Sequence, residues 1–315
     1  MDRPARLWQE RIGHQRDWLW RGWPIRYSVM LPEHPSRKPP LILLHGFGAA
    51  IEHWRQNIPV LARDRPVYAL DLLGFGGSPK ADTTYSAYLW ANQVYHFWQA
   101  ILQEPVVIVG NSIGSLVGLT AADQYPDMVK GLVMLSLPDV SLRQAALPPV
   151  VQPLITRLEN AIAAPWLLKR IFRLVRRPSV IQKWASIAYQ NPGCVNPELV
   201  TIISRPPFDE GADQAFCCLA ESVRSPNFAP PAHRVLPHLD IPILLIWGQQ
   251  DRMVPPLLAP KFANLNPGYI ELQIWEKAGH CPQDECPERF NKTLQQWLTK
   301  HFSDTFADAD RPGLG

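Results

Sequence analysis

Long apolar runs are missing from this sequence. None approaches the roughly 18 residues needed to cross a bilayer, which argues against a transmembrane helix. The opening Met1-Asp2-Arg3-Pro4-Ala5-Arg6 leads into a polar, Trp-containing stretch. It has no apolar h-region and does not read as a secretory signal, so the expected location is the cytoplasm. Cysteine is scarce: five residues, at 194, 217, 218, 281 and 286, make an odd number with no paired C-x-x-C, and free thiols are expected rather than a disulfide framework. Cys281 and Cys286 flank a histidine, but no second Cys/His pair stands at finger-like spacing, so no metal site is expected. A strong excess of one charge is also lacking. The net +3 is too mild to argue nucleic-acid binding for the whole chain. No internal repeat or low-complexity linker is visible.

What is present is the composition of a globular chain: 315 residues, 46% hydrophobic and 19% charged, enough for one large α/β domain with an insertion. After a polar peripheral segment (1–16), Trp18, Trp20, Ile25 and Tyr27 around Arg21-Gly22 read as a β-hairpin. Short apolar runs follow at Leu41–Leu44, Val67–Leu70, Val106–Val109, Leu132–Leu135, Ile243–Trp247 and Tyr269–Ile274. Helical patterns separate them, through Trp54, Ile58 and Leu61, then over 85–102, 113–124 and 287–302. Continuous apolar runs alternating with helices predict a mostly parallel sheet covered on both faces. From 139 to 238 the alternation stops, and Pro-interrupted helical segments replace strands as a helical cap. The core is thus expected at 17–138 and 239–302, with a polar tail, 303–315, fraying at the end.

The third parallel run stops on Gly110-Asn111-Ser112-Ile113-Gly114, and a helical pattern begins at once. A G-x-S-x-G between strand and helix is the pattern of a nucleophile elbow, in which a strained turn lifts the serine hydroxyl above the sheet. A serine hydroxyl needs a base, and the base needs a carboxylate, in the chain order Ser, acid, His on this kind of turn. Only His280 and His301 follow the late carboxylates, and His301 ends the last helix, so His280 is the candidate base. Asp251, just past the Ile243–Trp247 strand, is the candidate acid, and Asp139, one strand earlier, is the runner-up. For the two N–H donors of an oxyanion hole, Ile113 after the serine and Phe47, between Gly46 and Gly48, are the candidates. His45 is expected to orient that loop, and Asp71 to be structural. The glycines of Asp71–Ser78 follow an acidic residue without opening a helix, so this loop reads as scaffold rather than a dinucleotide site. No cofactor is required.

His45-Gly46-Phe47-Gly48, Gly110-Asn111-Ser112-Ile113-Gly114, Gly248-Gln249-Gln250-Asp251 and Gly279-His280, in this order, resemble the α/β-hydrolase superfamily. Within it, the elbow and Gly279-His280-Cys281-Pro282-Gln283-Asp284-Glu285 resemble the pheophytinase and chlorophyll dephytylase branch of plants and cyanobacteria, departing from it at Ser115, where that branch commonly has glycine. The resemblance implies an α/β-hydrolase fold with an inserted helical cap and a serine hydrolase of phytyl esters, sitting peripherally on an internal (thylakoid) membrane. Ser112 excludes the nucleophilic aspartate of dehalogenases and epoxide hydrolases. A lipid acyl-ester hydrolase, a C–C bond hydrolase and a non-catalytic ligand-binding scaffold remain the alternatives.

Within the cap, 166–177 plots as a basic amphipathic helix. Leu167, Leu168, Ile171, Phe172, Leu174 and Val175 share one side, and Lys169, Arg170, Arg173, Arg176 and Arg177 the other. One reading packs the apolar side on the core and leaves the basic side solvated. The other brings the basic side to anionic lipid headgroups. Cap composition implies an apolar pocket for a hydrophobic small-molecule ester, which Phe216, Cys217 and Cys218 either line or merely pack beneath.

Overall fold

The computed structural model describes residues 8–139 and 165–303. The first seven residues of the peripheral segment, part of the cap (140–164) and the tail after Ser303 lie outside the described residues. Eight strands form one sheet in the order β1-β2-β4-β3-β5-β6-β7-β8. They are β1 (His14–Trp20), β2 (Trp23–Met30), β3 (Leu41–Leu44), β4 (Val67–Leu70), β5 (Val106–Asn111), β6 (Val129–Leu135), β7 (Ile243–Gly248) and β8 (Ile270–Trp275). β1 and β2 form the expected antiparallel hairpin, β2 pairs antiparallel with β4, and the other pairs are parallel. This is the mostly parallel α/β sheet that the alternating runs imply.

Twelve helices are described: α1 (Trp8–Arg11), α2 (Ile58–Leu61), α3 (Ala87–Phe97), α4 (Ile113–Gln124), α5 (Pro165–Val175), α6 (Pro178–Ala188), α7 (Pro197–Ser204), α8 (Ala212–Ser222), α9 (Ala232–Val235), α10 (Leu258–Ala263), α11 (Pro282–Glu285) and α12 (Pro287–Phe302). Strand residues alternate between two cores. Ile42, Leu44, Ile108, Leu132 and Leu245 pack with Trp90, Val94 and Phe97 of α3 and with Leu116 and Leu119 of α4. Leu41, Leu43, Val107, Val109 and Leu244 pack on the other face with Trp54, Phe290, Leu294 and Trp297. Because both faces are covered, these strands read as unbroken apolar runs.

Some boundaries differ from the sequence reading. β6 begins at Val129 rather than Leu132, since exposed Lys130 interrupts the apolar pattern while the backbone continues the ladder. The segment through Trp54, Ile58 and Leu61 is a 3-10 turn (Ile51–Trp54) followed by the single turn α2. The basic helix runs over Pro165–Val175, so Arg176 and Arg177 lie beyond it. Pro178 opens α6 and holds Arg177 extended, at φ −63° and ψ 133°, because the residue before proline avoids helical backbone.

The strand order reverses around β3, with β4 on one side and β5 on the other. In open α/β sheets such a switch point opens a crevice at the carboxyl ends of the strands. Here those ends deliver His45 and Ser112. Helices α5 to α9 stand between β6 and β7 and reach the core on both flanks of this crevice. On one flank Leu219 and Phe228 join Tyr85 and Trp90 in the core, and the Tyr85 N–H donates to Ser222. On the other, Ala188 to Asn191 meet the His280 loop.

Candidate active site

Ser112 occupies the turn between β5 and α4 with φ 54° and ψ −114°, a strained backbone for a residue with a side chain. The flanking glycines make the turn possible. A Cβ on Gly110 would stand 2.3 Å from the Gly114 carbonyl carbon, and one on Gly114 would stand 2.2 Å from the Leu44 carbonyl oxygen. No side chain fits at either place. The Ser112 N–H donates to Leu135 O at 2.8 Å, tying the turn to β6. The Ser115 hydroxyl lies 2.7 Å from Gly110 O and 2.9 Å from Leu135 O and accepts the Leu135 N–H, a second brace on the elbow.

His280 and Asp251 come together from the loops after β8 and β7: His280 Nδ1 lies 2.9 Å from Asp251 Oδ2. The other Asp251 oxygen accepts the N–H groups of Met253 and Val254 at 2.8 and 2.9 Å. Burial works against the Asp251 charge, but the hydrogen bond and charge of His280, with the Val254 N–H and Ser136, hold the carboxyl below its usual range. A carboxylate kept ionised in this position fixes the proton of His280 on Nδ1 and leaves Nε2 as the basic nitrogen. The carboxylate seen within hydrogen-bond reach of Nδ1 is that of Asp251. The elbow is joined to this pair through its own residue: Asn111 Nδ2 donates to the His280 carbonyl at 3.0 Å.

The loop after β3 approaches the elbow through Gly46, where a Cβ would stand 3.4 Å from Ser112 Cβ and 3.0 Å from Asn111 Oδ1. Buried His45 accepts the Leu72 N–H at Nε2, so its proton sits on Nδ1, which donates to the Gly46 carbonyl at 2.8 Å. Burial pushes this imidazole down to about 4, with the Gly46 bond opposing, so it stays neutral. Gly46 O also accepts the Ala49 N–H. Since C=O and N–H of a trans peptide point in opposite directions, these two bonds turn the Phe47 N–H away from His45. Ile113 is the first residue of α4, so its N–H has no intrahelical acceptor. Asp71 is structural: its carboxylate accepts the Ile51 and Gly77 N–H groups and faces Arg26. Gly76 (φ +50°) is needed because a Cβ there would fall on that carboxylate.

Sequence reasoning missed a buried polar junction between cap and core just behind His280. Tyr189 donates to Asp284 Oδ2 at 2.7 Å and lies 2.7 Å from His53 Nε2. Arg55 holds the other Asp284 oxygen at 2.8 Å and Glu198 of α7 at 2.6 Å. Glu285 accepts the Gly279 N–H with one oxygen at 2.8 Å and the Gln190 N–H with the other at 2.6 Å. Burial raises the Glu285 carboxyl against the pull of these N–H groups, and burial pushes His53 down to about 4. The consecutive acids of Pro282–Glu285 were the visible signal, but their partners lie far away in sequence. Phe216 and Cys217 meet other cap residues, Phe216 facing Phe172 with ring centroids 4.9 Å apart and Cys217 the Pro165 carbonyl, while Cys218 faces Asp82 of the core. Among the described residues, no group of three His, Cys, Asp or Glu side chains is placed to hold a metal ion, and no helix is long and apolar enough to cross a membrane.

Comparison with known proteins adds to this geometry. The sequence pattern of the Alpha/beta hydrolase family matches residues 41–293. The chloroplast pheophytinase of Arabidopsis thaliana is 27% identical across 84% of this chain, which spans 61% of that protein's length. The 2-hydroxymuconate semialdehyde hydrolase of a Pseudomonas species is 27% identical, across 83% of this chain and 87% of that protein. Among solved structures, a membrane phospholipase A described as a bacterial virulence factor is 26% identical with a TM-score of 0.74, over 93% of this chain and 88% of that one.

Proposed function

Since this chain belongs to the Alpha/beta hydrolase family, we propose that it is a serine hydrolase that cleaves the carboxylic ester of a hydrophobic substrate, the phytyl ester of a chlorophyll-type pigment being the first candidate. The observation that carries the reading is the 2.9 Å contact between His280 Nδ1 and Asp251, linked by Asn111 to a serine on a strained elbow. Ser112 Oγ attacks the ester carbonyl while His280 Nε2 takes its proton. The oxyanion forms against the N–H groups of Ile113 and Phe47, each such donor being worth about 3–4 kcal/mol in the transition state. Collapse expels the alcohol, which takes the proton from His280, and leaves an acyl-Ser112 ester. Water, deprotonated by His280, then releases the acid and restores the serine.

The pigment assignment is supported by the likeness to pheophytinase. A second reading, a lipid acyl ester, is favoured by the likeness to a membrane phospholipase A. The test begins with a fluorophosphonate probe on the protein and on Ser112→Ala, followed by detergent-dispersed chlorophyll a, pheophytin a and a phospholipid. Labelling lost in Ser112→Ala, with Ser112-dependent release of dephytylated pigment, is expected. Labelling with fatty-acid release alone moves the substrate to the second reading. A folded protein that never labels overturns the serine hydrolase and favours a ligand-binding scaffold. Asp251→Asn and Asp139→Asn separate the two acids: only the former is expected to abolish turnover.

A further inference from the structure

Residues 165 to 190 carry four arginines and two lysines and no aspartate or glutamate. This stretch contributes +6 in a chain whose net charge is +3, so the remainder is acidic. The positive charge is gathered on α5, α6 and the turn that joins them.

The two helices leave apolar side chains on the same outward stripes as these cations. On α5 only Phe172 is buried, and it faces Phe216 of α8. At 100° per residue the opposite side of α5 carries Trp166, Arg170, Arg173 and Leu174, and there Trp166 is 64% and Leu174 53% exposed. The simpler expectation, that the whole apolar side packs on the core and only charge faces water, therefore does not hold for Leu174, and Trp166 adds an exposed aromatic to the basic side. α6 repeats the arrangement: in projection Lys183, Ile187 and Trp184 follow one another within 100°, and Trp184 and Ile187 are 56% and 41% exposed. Cations alone would be an ordinary solvated face. Tryptophan interleaved with arginine and lysine is the composition of a helix that lies at the boundary between lipid headgroups and acyl chains.

We propose that the outer face of α5 and α6 is a docking surface for anionic lipid bilayers. Lysine and arginine draw the cap to the negative surface, and Trp166, Leu174, Trp184 and Ile187 enter the interface. α6 ends at Ala188, whose carbonyl accepts the His280 N–H. A bilayer on this face is therefore joined to the His280 loop through the end of α6. The docking surface stands independently of the hydrolase reading, and its test does not use catalysis as the readout.

Co-flotation of the whole protein with vesicles of phosphatidylcholine, and of phosphatidylcholine mixed with phosphatidylglycerol, measures the partitioning. Binding to the mixed vesicles that weakens with added salt is expected. Because each basic residue near an anionic surface contributes roughly fivefold, Arg170→Gln with Arg173→Gln lowers partitioning about thirtyfold. Trp184→Ser lowers it on its own. Hydrolysis of a short soluble ester, or the melting temperature where no ester is cleaved, stays as in the parent and shows the variants folded. Equal binding to both vesicle types, binding unchanged in the double variant, or retention by a duplex DNA fragment with no flotation would each overturn the proposal.

Discussion

The backbone N–H of His280 donates to the carbonyl of Ala188 at 2.8 Å, so the candidate base is held by the cap as well as by the core. Glu285 doubles the joint by accepting N–H groups from Gly279 on one side and Gln190 on the other. Gly279 has to be glycine for this approach, since a Cβ there would stand 2.4 Å from Ala188 O. Removing the carboxylate leaves the Gly279, Gln190 and Asn191 amides without this acceptor, at a stability cost of about 1.5–3 kcal/mol for charged hydrogen bonds. Glu285→Ala is therefore expected to lower the urea midpoint and, by misplacing His280, slow fluorophosphonate labelling of Ser112 about tenfold or more, while the protein remains folded. Glu285→Gln, which keeps one acceptor oxygen, recovers part of the rate. Equal rates in all three proteins would show that the Ala188 bond alone places His280.

His53 gives the junction a pH dependence with a definite sign. Burial pushes its imidazole down to about 4 in the fold, while in the unfolded chain it titrates near 6.5. Between those values the unfolded chain binds a proton that the folded chain does not, so stability falls as pH falls through the window, by up to about 1.4 kcal/mol per pH unit. His53→Gln keeps an amide to face Tyr189 and removes the titration. Unfolding free energies by urea at pH 7 and pH 5 are expected to differ less in the variant than in the parent. Identical differences would place the acid sensitivity elsewhere.

Sequence alone discloses the sheet wherever a strand is buried on both sides. Leu41–Leu44, Val67–Leu70 and Ile243–Trp247 needed nothing but an unbroken apolar run, and the order of Ser112, Asp251 and His280 came from the same positions. It fails where the determining partner is remote. Tyr189, His53 and Asp284 meet across 95 and 136 residues, and each taken singly is an unremarkable polar residue. Nothing near Asp284 in sequence supplies its counter-charge, yet Asp284 is buried because Arg55 balances its charge. The start of β6 is hidden for the opposite reason, since its first residues pair by backbone and leave Lys130 in solvent.

The elbow makes the steric part of the argument testable with two single methyl groups. In Gly114→Ala the new carbon falls 2.2 Å from Leu44 O, whereas nothing lies within 4 Å of a Cβ on Gly268. The first substitution must push β3 away from α4 at the base of the site, and a loss of about 3 kcal/mol or more is expected, in the range of overpacked cores. The second is expected to stay within about 0.5 kcal/mol of the parent. Thermal melting of both variants decides it; similar melting temperatures would mean that β3 yields without cost.

Ser115 is where this chain departs from the glycine of the branch it resembles, and the structure gives the serine a task that glycine cannot perform. Its hydroxyl sits between Gly110 O and Leu135 O and accepts the Leu135 N–H at 3.0 Å, bracing the strained turn from below. Ser115 is completely buried, so its side chain lies beneath the elbow rather than facing a ligand. Ser115→Gly removes a buried bridge and adds backbone freedom in the first turn of α4, together costing about 1–3 kcal/mol. A lower melting temperature with an unchanged order of preference among ester substrates is the expected result. A changed preference at unchanged stability would instead place this position in substrate selection, and the brace would then be incidental to the elbow.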